Sequence, residues 1–164
     1  PRRFGLMLLL KPDEIATHKL LRGLGPEPLE KSFTGLVLAA ALDGKRTPIK
    51  AALLDQRVVA GIGNIYAGEG LFLAGLKPTR LASTVQGEKA DRLVAGLKSV
   101  LNRAIADGGS TLRDHVQPDG ELGYFQTRFA VYDREGQKCQ VCGRPVKRMV
   151  QSGRSTFYCS HCQR

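Results

Sequence analysis

The apolar positions of this chain change their spacing twice along its length. KSFTGLVLAAAL, residues 31–42, carries a dense apolar run that predicts a helix, with Ser32 as a candidate N-cap and Asp43-Gly44 as a stop. Residues 83–109 place Leu93, Leu97, Val100, Leu101 and Ala104 at helical spacing. Ser83 and Gln86 offer a capping box there and Gly108-Gly109 a terminus. Those aliphatics read as core. Between these segments, 47–80 divides into PIKAALLD, a glycine-bearing turn through VVAGIG, and NIYAGEGLFLAGL, which predicts two helices joined by a turn. Near the other end the pattern shortens. RPVKRMV (144–150) and RSTFYC (154–159) each read as a strand, and QSGR supplies Gly153 as the turn residue of a hairpin.

At 164 residues the chain has room for one domain, or a modest domain with a small appendage, and for a true core. LMLLL at 6–10 is far too short to cross a bilayer. Its basic start suggests a secretory signal, but Lys11, Pro12, Asp13 and Glu14 stand where small residues should mark cleavage. The expectation is a soluble, cytoplasmic protein with no membrane partner. Charge then narrows the partners: 25 Lys plus Arg against 15 Asp plus Glu give a formal +10. After Glu135 there is no acidic side chain, while Lys138, Arg144, Lys147, Arg148, Arg154 and Arg164 follow. So one-sided a segment suits a polyanion, and nucleic acid is the natural one.

All four cysteines lie in that basic segment. Cys139, Cys142, Cys159 and Cys162 form two Cys-x-x-Cys pairs separated by sixteen residues. This is the pattern of a four-thiolate zinc site, in which each pair is a knuckle supplying two corners of a tetrahedron. Two disulfides would suit a secreted chain, and a thioredoxin-like redox pair would need a βαβ setting. Zinc is the reading the spacing favours. His161 lies inside the second knuckle, but four thiolates already complete the shell, so it is expected to face solvent. The metal would clip the hairpin, present Arg154 at its tip, and serve structure, with no open position for catalysis.

The turn before NIYAGEGLF bears on phosphate chemistry. Glycine lets a ligand approach the backbone, and a helix start offers free N–H groups. Asn64 is placed to cap that helix or to give its amide to a phosphate. GIGN alone is weak evidence, since the dinucleotide fingerprint is not completed.

Taken together and in order, PRRFG, DQRVVAGIGNIYAGEGLF, LASTVQ, GGSTLRD, DGELGYF, VYDREGQKCQVCG and GRSTFYCSHCQ closely resemble the C-terminal part of bacterial formamidopyrimidine-DNA glycosylases. These are bifunctional glycosylase and AP lyase enzymes that excise oxidised purines such as formamidopyrimidine and 8-oxoguanine. The resemblance implies a mainly α fold: a helix-two-turn-helix DNA-binding domain at about 12–130, then a zinc-clipped β-hairpin at 131–164. Residues 1–11 would be a remnant strand of the family's N-terminal β-sandwich. Asn64 and Arg154 match residues that bind phosphates around the extruded nucleotide, and Arg154 also matches a proton donor in δ-elimination. Arg2 and Phe4 match side chains that enter the duplex, Arg46 and Lys50 match basic positions near the DNA and the lesion, and DGELGY (119–124) overlaps the loop over the flipped base. Extruding the base is what allows its glycosidic bond to be attacked.

The departure concerns the nucleophile. The family begins with Pro-Glu, whose secondary amine attacks the sugar C1′, whereas this chain reads Pro1-Arg2-Arg3. Pro1 matches an internal proline instead. The expected behaviour is therefore that of a monomeric bacterial fragment with one structural zinc. It would bind lesion-containing or abasic double-stranded DNA without cleaving it unless the N-terminal domain is supplied. The alternative is a non-catalytic zinc-ribbon module that binds nucleic acid, which would leave Asn64, DGELGY and PRRFG unexplained.

Overall fold

The computed structural model describes residues 7–15, 17–109 and 125–164. Arg2, Phe4 and the DGELGY segment therefore lie outside the described residues. Five α-helices are present among the described residues: α1 (Pro12–Ile15), α2 (Gly35–Leu42), α3 (Ile49–Leu53), α4 (Asn64–Leu73) and α5 (Glu88–Ala106). They are followed by a two-stranded antiparallel sheet, β1 (Lys147–Gln151) with β2 (Arg154–Tyr158), in which Gln151 pairs with Arg154 and Lys147 with Tyr158. No helix among the described residues is long and apolar enough to cross a membrane.

The main core lies where α2, α3 and α4 pack on α5. Leu38, Leu42, Ile49, Leu53, Leu71, Leu93 and Leu97 are all fully buried in it. α4 and α5 cross closely because both present glycine at the contact. A Cβ on Gly70 would fall 2.6 Å from Leu97 Cδ2, and one on Gly96 would fall 2.8 Å from the Gly70 carbonyl oxygen. The sequence spacing gave this pair of helices, though not every boundary. α2 begins at Gly35, and its N-cap is Thr34, whose hydroxyl accepts from the Val37 N–H, so Ser32 is not the cap. α5 begins four residues later than the capping-box reading, at Glu88 with Gly87 (φ 53°) as N-cap in place of Ser83. Residues 82–84 form a 3₁₀ turn, the Ser83 N–H donates to the Lys45 carbonyl and not to Gln86, and Gln86 Nε2 donates to the Ala39 and Ser83 carbonyls. The long apolar pattern remains; local side-chain bonds stop it from extending back through Val85.

Residues 7–11 carry no strand, and Met7 and Leu9 stand out in solvent at 84% and 100% exposure.

A smaller core joins the helices to the hairpin. Phe72 of α4 packs with Val131, Val146, Phe157, Cys139 and Cys159. A row of rings, Tyr66, Phe125, Phe129, Tyr132 and Phe157, links the two cores, with successive centroids 6.0, 5.4, 5.5 and 5.2 Å apart. The buried Glu69 carboxylate accepts three backbone N–H groups, from Ala130, Val131 and Tyr132, at 2.8–2.9 Å. At the other end of the seam, buried Gln163 accepts from the Cys159 N–H and donates to the Leu76 carbonyl, both at 2.9 Å.

Candidate nucleic-acid interface and metal site

The metal site follows from the two knuckles. The four Sγ atoms all lie within 4.8 Å of one another, with Cys142 to Cys159 at 3.4 Å and Cys139 to Cys162 at 3.9 Å. Sulfurs around a tetrahedral zinc with Zn–S bonds near 2.3 Å are separated by about 3.8 Å, so the cage has the right size for one ion. The same distances leave the cysteines unbonded, and all four are free thiols. Crowding makes them compete for protons. Burial acts to raise Cys159, but N–H groups of Cys162 and His161 and the neighbouring sulfurs outweigh it and bring it down to about 7. Burial and the same neighbours push Cys162 up to about 12. A divalent cation relieves that competition by taking all four as thiolates. His161 is half-buried and contributes no ligand atom to the cluster.

The second site lies between the start of α4 and the hairpin. Ser152 (φ 49°) and Gly153 (φ 71°) make the left-handed turn that sets Arg154 at the first position of β2, exposed. The turn requires φ > 0 at both positions, so Ser152 bears the local cost of a Cβ there while Gly153 takes the second position freely. Across from it, the turn before α4 is held from behind. Gln56 accepts from the Gly61 N–H and donates to the Ile62 and Leu54 carbonyls, while Gly25 and Pro26 pair with Gln56 and Ala60. Gly61 needs its glycine for φ 71°. Gly63 does not: its φ of −102° suits any residue, and a Cβ there would meet nothing within 4 Å. Nothing among the described residues asks for glycine at 63.

Asn64 is the first residue of α4, with Gly63 as N-cap, so its side chain does not cap the helix. It turns instead to the hairpin. Asn64 Nδ2 donates to the Ser155 carbonyl at 3.0 Å, and Asn64 Oδ1 accepts from Lys50 Nζ at 2.6 Å. Lys50 Nζ also donates to Thr156 Oγ1 at 2.6 Å and to the Ser155 carbonyl at 3.3 Å. Lys50 is 1% exposed. All three of its acceptors are neutral and the nearest charge is Arg154, so burial, followed by that guanidinium, lowers its pKa to about 8. A buried cation without a carboxylate is costly and uncommon. Here it fastens α3, α4 and β2 together directly beneath Arg154.

Of the residues singled out from sequence, Lys50, Asn64 and Arg154 thus converge, although 104 positions separate the first from the last. Arg46 is exposed just before α3 and has no ion pair among the described residues. Thr156, Ser155, Glu69 and Gln163 escaped sequence reading. The trace that could have exposed the network is Lys50 itself, a single charge in the otherwise apolar IKAALL.

Comparison with known proteins agrees with this geometry. The family described as Formamidopyrimidine-DNA glycosylase H2TH domain matches residues 24–116, and the family described as Zinc finger found in FPG and IleRS matches residues 136–164. The formamidopyrimidine-DNA glycosylase of Rhodospirillum rubrum is 58% identical over 170 residues, covering 100% of this chain and 60% of that protein. That of Acidiphilium cryptum is 55% identical, again over 100% of this chain and over 62% of its own length. The chain therefore spans about three-fifths of the length of these relatives. Among solved structures, the MutM (Fpg) protein of Thermus thermophilus superposes with a TM-score of 0.85 at 50% identity, covering 93% of this chain and 58% of that one. The Lactococcus lactis Fpg, solved with abasic-site DNA, gives 0.85 at 32% identity, covering 94% and 56%. With a helix-two-turn-helix domain over more than half its length, a four-cysteine zinc finger behind it, and relatives matched from end to end of its sequence, this chain belongs to the formamidopyrimidine-DNA glycosylase family.

Proposed function

We propose that this chain is the DNA-binding and zinc-finger portion of a base-excision-repair glycosylase and AP lyase, and that it grips duplex DNA at an oxidised or abasic lesion. The observation that carries the reading is the Lys50, Asn64, Ser155, Thr156 network, which holds a helix start and an arginine-tipped hairpin side by side. Asn64 has one amide N–H committed to Ser155, which leaves the other for a phosphate. Arg154 makes no ion pair among the described residues; Asp55, which lines the same hollow, is paired with Arg57. Gly63 leaves the backbone open, and the first N–H groups of α4 lie behind. Two phosphates flanking an extruded nucleotide are the ligand this set suits, and the solved Lactococcus lactis relative was captured on abasic-site DNA. Arg46, exposed just before α3, is a further backbone contact in this reading. Arg2 and Phe4 take the roles their family positions imply within the duplex.

Lys50 acts from within, neutralised by the incoming phosphates and fixing the Asn64 amide. Arg154 supplies a proton donor for δ-elimination once the sugar is opened. Opening it needs an amine at C1′ beside a carboxylic acid, and Pro1 is followed by Arg2. The 164 residues alone are thus expected to bind as a monomer without cutting. The zinc, held by Cys139, Cys142, Cys159 and Cys162, keeps the hairpin and so Arg154 in place; its chemistry is structural.

The test is binding of the zinc-loaded chain to an abasic-site duplex, an intact duplex and a matched RNA, followed by borohydride treatment of the abasic complex. Preference for the abasic duplex, lost in Asn64→Ala and Arg154→Ala, supports the reading. Equal affinity for all three would favour a general zinc-ribbon binder, and a borohydride-trapped adduct abolished by blocking the Pro1 amine would show that the chain is catalytic by itself.

A further inference from the structure

We propose that Lys77, Arg80 and Arg164 form a second phosphate-binding site, on the seam between α4 and the last cysteine knuckle. The site is assembled from two stretches of chain. Gly75, with φ 69°, turns the backbone out of α4, and residues 75–77 then pair with Arg164: the Arg164 N–H donates to the Gly75 carbonyl at 3.0 Å and the Lys77 N–H to the Arg164 carbonyl at 3.3 Å. Gln163 locks the same seam through the Leu76 carbonyl. The Arg80 N–H donates to the Lys77 carbonyl at 3.0 Å and closes the loop. Three cationic side chains are thereby brought around one hollow of about 280 Å³, lined also by Thr79, Leu81 and Thr84.

Two features point to an anion. No Asp or Glu side chain lines the hollow, so its three cationic side chains have no acidic side-chain partner within it. Arg80 Nε is buried and has no acceptor among the described residues, which is rare for a guanidinium nitrogen. A donor fork with an unmet N–H, flanked by a second guanidinium and an ammonium, matches the several oxygens of a phosphate group. The position suggests where the phosphate comes from. The Pro78 carbonyl, inside this loop, accepts from the Lys50 N–H and from Gln151 Nε2, and Gln151 is the register partner of Arg154. The loop that carries the hollow therefore also braces the hairpin tip, and a duplex backbone leaving Arg154 has a second cationic anchor on the same support. Phosphate binding at this site is independent of the Asn64 and Arg154 reading; only the duplex as its source rests on it.

The experiment follows the side-chain Nε–Hε resonance of Arg80 in the ¹⁵N-labelled, zinc-loaded chain, assigned by its loss in Arg80→Lys. Potassium phosphate, potassium chloride at equal ionic strength, and an undamaged duplex are titrated in turn. A saturable shift with phosphate or duplex and none with chloride is expected, kept in Arg154→Ala and lost in the surface double variant Lys77→Ala/Arg164→Ala. If the duplex acts, the ligand is a nucleic-acid backbone phosphate, and the double variant should bind it about 3- to 10-fold more weakly at low salt, with a salt slope smaller by up to about 2. If only inorganic phosphate acts, the site takes free phosphate anions. No shift with either, or an equal shift with chloride, overturns the proposal.

Discussion

The helical half and the hairpin half of this chain are held together by different means. Around α5 the core is a continuous set of fully buried aliphatics, and each α4–α5 glycine contact draws the helices closer. Apart from its cysteines the hairpin buries few apolar side chains, Val146 and Phe157, and two of its most buried residues are metal ligands. The first half is built on apolar burial. The second depends on zinc and on the seam that fastens it to α4, so function that needs Asn64 and Arg154 together is set by the weaker half.

Removing the metal should break the molecule along that line and have the largest effect. Chelation, or Cys159→Ser, forfeits the structural-zinc free energy, which is on the order of 10 kcal/mol in isolated finger peptides. Amide exchange should become fast across residues 147–158 while Leu93 and Leu97 of α5 stay protected. Simultaneous loss of protection in α5 would show that the two halves fold as one unit.

The seam comes next. Glu69→Ala leaves three buried N–H groups of residues 130–132 without their acceptor. At roughly 1–3 kcal/mol per unsatisfied group, partly relieved by water, a loss of about 4 kcal/mol is expected in chemical denaturation. Zinc should remain bound while abasic-duplex affinity falls. A variant that loses stability but keeps full affinity would show that the linker does not position the hairpin.

The same contrast explains what could be read from the sequence. Leu93, Leu97 and Val100 announced α5 because helical periodicity is local, and the cysteine spacing announced the metal because a tetrahedron fixes the sequence pattern. Asn64 and Arg154 were legible through family resemblance. Their connection was not, since Lys50 to Thr156 is a contact across 106 positions and nothing at either end requires the other. The starts of α2 and α5 were also misplaced. Several Ser, Thr and Gln side chains stood near each helix start, and the choice among them was made by tertiary partners such as the Ala39 carbonyl.

Lys50 yields a prediction with a sign. Its pKa falls from 10.5 unfolded to about 8 folded, through burial and the Arg154 charge. Below pH 8 both states hold the proton and folding bears the full penalty, about 3 kcal/mol. Between pH 8 and 10.5 the unfolded chain holds a proton that the folded chain has shed, so stability rises with pH across that window. Lys50→Met should abolish the rise; at pH 7 the relieved burial penalty opposes the loss of the hydrogen bonds to Asn64, Ser155 and Thr156. A bound phosphate favours the charged amine, so wild-type affinity for DNA should decline above pH 8, accompanied by proton uptake on binding that calorimetry in buffers of different ionisation enthalpy would detect. Identical pH profiles for wild type and Lys50→Met would remove Lys50 from the interface.

The smallest effect separates charge from architecture. Arg154 is exposed, begins β2, and makes no side-chain bond among the described residues, so Arg154→Ala should leave stability within about 0.5 kcal/mol of wild type and zinc content unchanged. What it should change is the dependence of binding on salt. Each phosphate neutralised contributes about 0.9 to the slope of log affinity against log salt, so one lost contact lowers the slope by about 1. Arg154→Lys keeps the charge and loses the planar fork; it should restore most of the slope yet recover less of the preference for abasic over intact duplex. If both variants lower the slope alike, Arg154 recognises shape through its guanidinium plane and not a phosphate through its charge. If neither does, the hairpin tip is solvated, and the converging network beneath it holds the two halves together without itself touching DNA.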